Sequence, residues 1–240
     1  MKINETELDL YRNSCDKDRF TQVRKIKPTR RSLSGAYAFR GETMIPFESS
    51  LERDFIIRME SFRDVLDVIP QPAQVPFVSG NGRSYVYTPD FLVYFRLAHH
   101  DYERYPKPLL VEIKPRNEIR VHWKDWKPKF LAAHRFALEQ GFLFKIYDES
   151  RIRDVALQNI RFLMRYKHMK VDSVDVAAIQ MTLKRTGAST VDSLLAKHYG
   201  GIYREQGITH IWHMLASKQL DCDIFEPLSM FTEVWIPSHV

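Results

Sequence analysis

The sequence predicts an α/β protein, a mixed sheet flanked by helices, followed by a small helical domain that ends in a hairpin. Three observations carry this reading. Hydrophobic runs of strand type, "YTPDFLVYF" at 87–95, "LLVEIKP" at 109–115 and "FLFKIY" at 142–147, alternate with stretches of helical spacing. Aromatic and basic residues thin out near 168–174. Beyond that point three helical patterns precede the β-rich "MFTEVWI".

Taken in order, residues 1–46 read as a basic N-terminal arm with little periodicity. Within it, 19–31 hold six basic residues and no acid. The next segment, "SSLERDFIIRME", opens with Ser49 and places Glu52 three positions later, a capping box. Leu51, Phe55, Ile56, Met59 and Phe62 then recur at helical spacing. After the turn-rich "IPQPAQVP" comes a short strand at 75–79, with "SGNGRS" as a hairpin turn. A strand at 85–95 follows, in which Pro89 marks a bulge, bend or edge. A polar loop at 98–108 leads to a strand at 109–114. A helix is predicted over about 128–140, started near Pro128 and stopped by Gly141. A strand at 142–147 and an amphipathic helix at 152–167 complete the first domain, which spans 47–170. Residues 171–240 carry helical patterns at 173–184, 190–198 and 205–217 before the hairpin, the order of a winged-helix-like domain.

Composition narrows the function. Of the 240 residues, 44% are hydrophobic and 28% charged, with a net charge of +6. That balance is an ordinary globular one. No apolar run is long enough for a transmembrane helix, and the polar, acid-bearing N-terminus is unlike a signal peptide. Cys15 and Cys222 lie far apart, without metal-ligand spacing, as expected of a reducing cytoplasm. Residues 172–240 hold five Lys/Arg against eight Asp/Glu, so the basic excess belongs to residues 1–171. A phosphate-rich partner is expected there.

The chemistry is carried by charges placed inside strands. Burying charge is costly unless it is paired or used. Residues two apart share a strand face, so Glu112 and Lys114 point one way while Val111 and Ile113 point the other. Asp90 precedes a strand able to pair with 109–114, and Glu52 on the preceding helix could add a third carboxylate. Hard oxygen ligands of this kind suit Mg²⁺ or Mn²⁺, and a nearby lysine suits the charge that develops in phosphodiester hydrolysis. Each residue also has a structural alternative. Glu52 could serve only as a cap, Asp90 could cap a bulge, and Glu112 and Lys114 could form a solvated ion pair.

Pro89-Asp90 followed by Glu112-Ile113-Lys114 resembles the PD-(D/E)xK nuclease superfamily, whose core is restriction-endonuclease-like. Within it the wider sequence resembles TnsA, the endonuclease subunit of heteromeric transposases. The stretches that carry the likeness are "FESSLERDF" at 47–55, "YTPDFLV", "LLVEIKP", "GFLFKIYDESRI" at 141–152 and "NIRFLMRYK" at 159–167. The resemblance implies cleavage at the 5′ ends of a mobile element. It implies a DDE transposase partner (TnsB-like) that handles the 3′ ends, an AAA+ regulator (TnsC-like) and a bacterial cytoplasm. It also implies Glu52, Asp90 and Glu112 as ligands of Mg²⁺, with Mn²⁺ able to substitute, and Lys114 as the catalytic lysine. Some family members carry Gln where this chain has Glu112. Two other readings remain, a restriction-like nuclease in repair or defence and a DNA-binding assembly subunit.

The double-stranded DNA of the element's ends is expected to meet Arg24, Lys25, Lys27, Arg30 and Arg31 of the arm. Lys124, Lys127 and Lys129 are expected to extend that path, with His122 and Trp123 beside them. His99-His100 falls in the polar loop. His210 and His213 lack companion ligands and read as core or surface residues. "SGNGRS" lacks the Lys-Ser/Thr of a phosphate loop, so no nucleotide site is expected. The acidic tail favours docking to a protein partner over strong DNA binding.

Overall fold

Three of the hydrophobic runs pair into one mixed sheet together with a strand at Val65–Pro70 that the sequence reading did not anticipate. Its strands are β3 (Val65–Pro70), β6 (Phe91–Phe95), β7 (Leu109–Ile113) and β8 (Leu143–Tyr147), in the order β3-β6-β7-β8. The first two junctions are antiparallel and β7–β8 is parallel. This is a computed structural model, and it describes residues 20–24, 33–96 and 105–237. The chain divides into two compact units after Ile152.

Alternation on the strands builds two half-cores. Phe91, Val93, Leu109, Val111 and Ile113 face Leu51, Phe55, Ile56 and Met59 of helix α1 (Ser50–Ser61). On the opposite face, Leu92 and Leu110 pack with Ala137 of helix α2 (Arg116–Glu139) and with Phe142. Each such side chain contributes roughly 1.5–3 kcal/mol by leaving water. Glu112 shares its face with Leu110, so it is directed into the α2 side of the sheet.

Several boundaries differ from the sequence reading. The run expected as one strand at 85–95 is split. β5 (Ser84–Tyr87) pairs with β4 (Val75–Val78), while β6 joins the main sheet. Pro89 lies at the break, where it has no N–H to give a ladder. The helix expected from Pro128 begins at Arg116, and Pro128 lies inside it. Its first half is polar and mostly exposed, so it shows no apolar stripe. A proline there leaves the carbonyl of exposed Lys124 to water, which makes it tolerable. The helix expected at 152–167 forms as α3 (Glu149–Ile152) and α4 (Val155–Met164), the latter capped by Asp154. The arm expected at 1–46 contains a hairpin, β1 (Gly35–Phe39) with β2 (Thr43–Phe47), whose Phe39, Ile45 and Phe47 enter the core.

The second unit has its own core. α5 (Ser173–Thr186), α6 (Val191–His198) and α7 (Arg204–Ala216) pack around Ile179, Leu183, Leu195, Ile211 and Met214. β10 (Asp221–Cys222), β11 (Glu233–Trp235) and β9 (Ala188–Thr190) form an antiparallel sheet in that order. β9, between the first two of these helices, was not anticipated, since three residues give no measurable periodicity. Asn159 of α4 donates to the carbonyls of Ile224 and Glu226 and accepts from the Leu228 N–H, which ties down the β10–β11 connection. α4 therefore belongs with the second unit, although the sequence boundary at 170/171 grouped it with the first.

Candidate active site

The charged residues of the strands meet at one end of the sheet. Asp90 lies one residue ahead of β6. Its N–H donates to the Val111 carbonyl at 3.1 Å, and its Oδ2 accepts from the Ile113 N–H at 2.7 Å. Its backbone thereby extends the β6–β7 ladder, and its carboxylate is fixed across the end of β7. Glu112 is 1% exposed. Lys114 follows the last residue of β7, with its N–H on the Tyr147 carbonyl of β8. Its ammonium stands among three oxygens: Ile113 O at 3.0 Å, Glu112 Oε1 at 3.2 Å and Asp90 Oδ2 at 3.5 Å.

A wholly buried Glu needs partners, and Glu112 has three. Besides Lys114, Oε2 accepts from the Tyr87 hydroxyl at 2.5 Å and Oε1 lies 3.2 Å from Lys129 Nζ. Tyr87 comes from the end of β5, which Phe77, Ala133 and Phe136 hold against α2. Sequence reasoning gave Tyr87 no role, and it placed Lys129 on the DNA path. The structure puts the Lys129 ammonium on the Glu112 carboxylate. The available signal was its position on the helix that covers the Glu112 face.

Electrostatics follow this crowding. Burial, then the neighbouring Glu112, holds the Asp90 carboxyl well above the usual range, against the pull of Lys114. Burial alone would lower Lys114, but the charges of Asp90 and Glu112 outweigh it and raise it. The Tyr87 phenol is pushed well up by burial and by both carboxylates, so it remains a donor. The cluster is a set of oxygens short of positive charge.

Glu52 is placed differently. The capping box is real: the Glu52 N–H donates to Ser49 Oγ at 3.1 Å, and the Ser49 hydroxyl returns to Oε1 at 2.9 Å. Oε2 accepts from the Glu48 N–H at 2.7 Å. Burial raises its carboxyl, opposed by these two donors and then by Lys114. Its charge therefore reaches the site while its oxygens serve the helix start. Among the described residues, no three Asp, Glu, His or Cys side chains converge closely enough to hold a metal ion by themselves. The oxygens available at the sheet end are those of Asp90 and Glu112 with the Ile113 carbonyl. Two carboxylates completed by a carbonyl and water suit a hard cation such as Mg²⁺.

The other expected contacts scatter. Arg24 pairs with Glu48 at 2.5 Å and approaches Gln71. Lys25, Lys27, Arg30 and Arg31 lie outside the described residues, as do Cys15 and His99-His100. Lys124 and Lys127 are exposed on α2, where Trp123 is also exposed and His122 stacks on Trp126 at 5.1 Å. His210 is buried against Tyr199, and His213 contacts the Tyr166 carbonyl, as residues of the second core.

A mixed sheet with an acid at one strand start and Glu-x-Lys at the end of its neighbour defines a restriction-endonuclease-like nuclease core. Two family models match the chain in tandem, TnsA-like endonuclease N-terminal over 62–149 and TnsA endonuclease C-terminal over 151–224. Together they take in more than half of the chain, which belongs to the TnsA endonuclease family, the DNA endonucleases of Tn7-type transposition. The first span contains Asp90, Glu112, Lys114 and Lys129 and begins after Glu52. No curated protein matches the chain. Among the described residues no helix is long and apolar enough to cross a membrane.

Proposed function

We propose that the chain hydrolyses phosphodiester bonds at the 5′ ends of a mobile element, using a divalent metal held by Asp90 and Glu112. The observation that carries this reading is the oxygen cluster around the Lys114 ammonium. Asp90 Oδ2, Glu112 Oε1 and the Ile113 carbonyl surround one cation at 3.0–3.5 Å. The same donors suit Mg²⁺ and Mn²⁺. When bound, the metal would supply an acidified water and offset charge on the scissile phosphate. Lys114 would place its ammonium against that phosphate, and Tyr87 keeps Glu112 oriented from the opposite oxygen. Glu52 would act from the edge through its charge.

A TnsB-like DDE transposase and a TnsC-like AAA+ regulator are the partners we propose. The second unit would serve as a winged-helix-like docking module. Its helix–strand–helix–helix–strand–strand order supports this, as does the scarcity of basic residues on α7, where Arg204 is paired with Asp192. Nuclease assays on element-end DNA with Mg²⁺, with EDTA, and with the Asp90→Asn variant test the reading. Cleavage restricted to wild type with metal is expected. Undiminished cleavage in EDTA, or by Asp90→Asn, overturns it.

A further inference from the structure

Lys129 has no part in the chemistry above, yet its position is built. Its ammonium lies 3.2 Å from Glu112 Oε1, the oxygen that Lys114 also approaches at 3.2 Å. Three rings hold it there, with centroids at 5.0 Å (Tyr87), 4.7 Å (Trp126) and 5.0 Å (Phe130). Such cation–ring contacts strengthen as water is excluded, and the side chain is only 16% exposed.

Formal charges show what this costs and what it achieves. Glu52, Asp90 and Glu112 against Lys114 and Lys129 leave the centre one negative charge. A divalent cation would turn that into one positive charge, enclosed in a poorly solvated site. An incoming phosphate would cancel it. Without Lys129 the cation alone would balance the carboxylates and Lys114. We infer that Lys129 is a positioning residue that fixes the Glu112 carboxylate and makes metal loading conditional on DNA. The inference rests on the metal-dependent reading above. Its consequence is that the free protein binds metal more weakly than it does once a phosphate backbone has entered.

Calorimetric titration of the full chain with Mn²⁺, without DNA and with a short duplex, tests this. Lys129→Met is expected to bind Mn²⁺ without DNA at least about tenfold tighter than wild type. A unit charge facing a divalent one a few ångströms away is worth about that even at the screening of water. Lys129→Arg restores wild-type affinity, and the duplex tightens wild type more than Lys129→Met. Lys129→Gln, which keeps a hydrogen bond but not the charge, is expected to follow Lys129→Met and serves if the apolar variant does not fold. Wild-type affinity in both neutral variants overturns the inference and leaves the metal reading standing, provided Asp90→Asn abolishes binding. If Asp90→Asn binds like wild type, or if no form binds Mn²⁺ with or without duplex, both fall.

Discussion

At the scale of single residues, the proposed site would trade stability for chemistry. Asp90 and Glu112 place two carboxylates in a nearly dry strand end, where Val or Ile would pack at lower cost. Replacing Asp90 by Asn removes one buried charge while keeping an acceptor for the Ile113 N–H. The variant is expected to melt at a higher temperature than wild type at neutral pH, and to lose cleavage by about 10³-fold, in line with the loss of a group that binds the reacting centre. Lys114→Met should lose a comparable factor. Glu52→Gln should lose far less, about tenfold, because under the proposal Glu52 would act only through its charge while its oxygens cap α1. Parallel rate and melting measurements check all three, and a Glu52→Gln variant as dead as Asp90→Asn would make Glu52 a direct ligand. Asp90, Glu112 and Lys114 were legible in the sequence because strand alternation makes a buried charge conspicuous. Tyr87 was not, because a tyrosine in a strand is ordinary until its hydroxyl is seen on a carboxylate.

At the scale of elements, close packing explains what periodicity missed. Gly207 lies inside α7, where a Cβ would sit 2.4 Å from the Tyr199 ring. That ring in turn bonds His210 Nδ1 at 2.9 Å. Alanine is normally the better helix former by about 1 kcal/mol. Here Gly207→Ala is expected to destabilise by about 1–2 kcal/mol, because overpacking at 1–3 kcal/mol outweighs the propensity gain. Denaturant unfolding measures it, and a stabilised variant would refute the contact. His198, whose Nε2 lies 2.9 Å from Thr182 Oγ1, links α6 to α5. Burial, then Lys197, depresses its ionisation below the usual histidine range, against Asp175. The folded state therefore favours the neutral ring. That stability is present above the unfolded value of about 6.5 and is lost as pH falls from there through the depressed folded value. His198→Gln is expected to lose less melting temperature than wild type between pH 7 and pH 5. The hairpin of β1 and β2 was not legible, because GAYAF and TMIPF are broken by glycine, alanine and proline where β7 and β8 are nearly continuous apolar runs, and the three residues of β9 carry too few alternations to separate from a loop. α2 was half legible: Ala133, Ala137 and Phe130 face the sheet, while 116–127 face water.

At the scale of the whole molecule, the division after Ile152 changes the charge argument. Residues 153–240 hold ten Lys/Arg against nine Asp/Glu, nearly neutral where 172–240 alone are acidic. Five of those basic residues lie at 153–170, on or beside α4. With a self-contained core, residues 153–240 are expected to fold alone and to bind duplex DNA no tighter than micromolar at 150 mM salt, since few phosphate contacts are available. Circular dichroism and anisotropy measure both, and sub-micromolar affinity would assign DNA contact to this unit. The α/β class and the nuclease core were legible from three hydrophobic runs and one motif. The boundary was not, because composition shifts one helix later than the packing does.

The central claim is that Asp90, Glu112 and Lys114 cut the 5′ ends. Strand breaks mapped at nucleotide resolution on element-end DNA, with the partner transposase present, test it most directly. In Asp90→Asn and Lys114→Met, 5′ breaks should vanish while the partner's 3′ breaks persist. Persistent 5′ breaks in either variant would contradict the account.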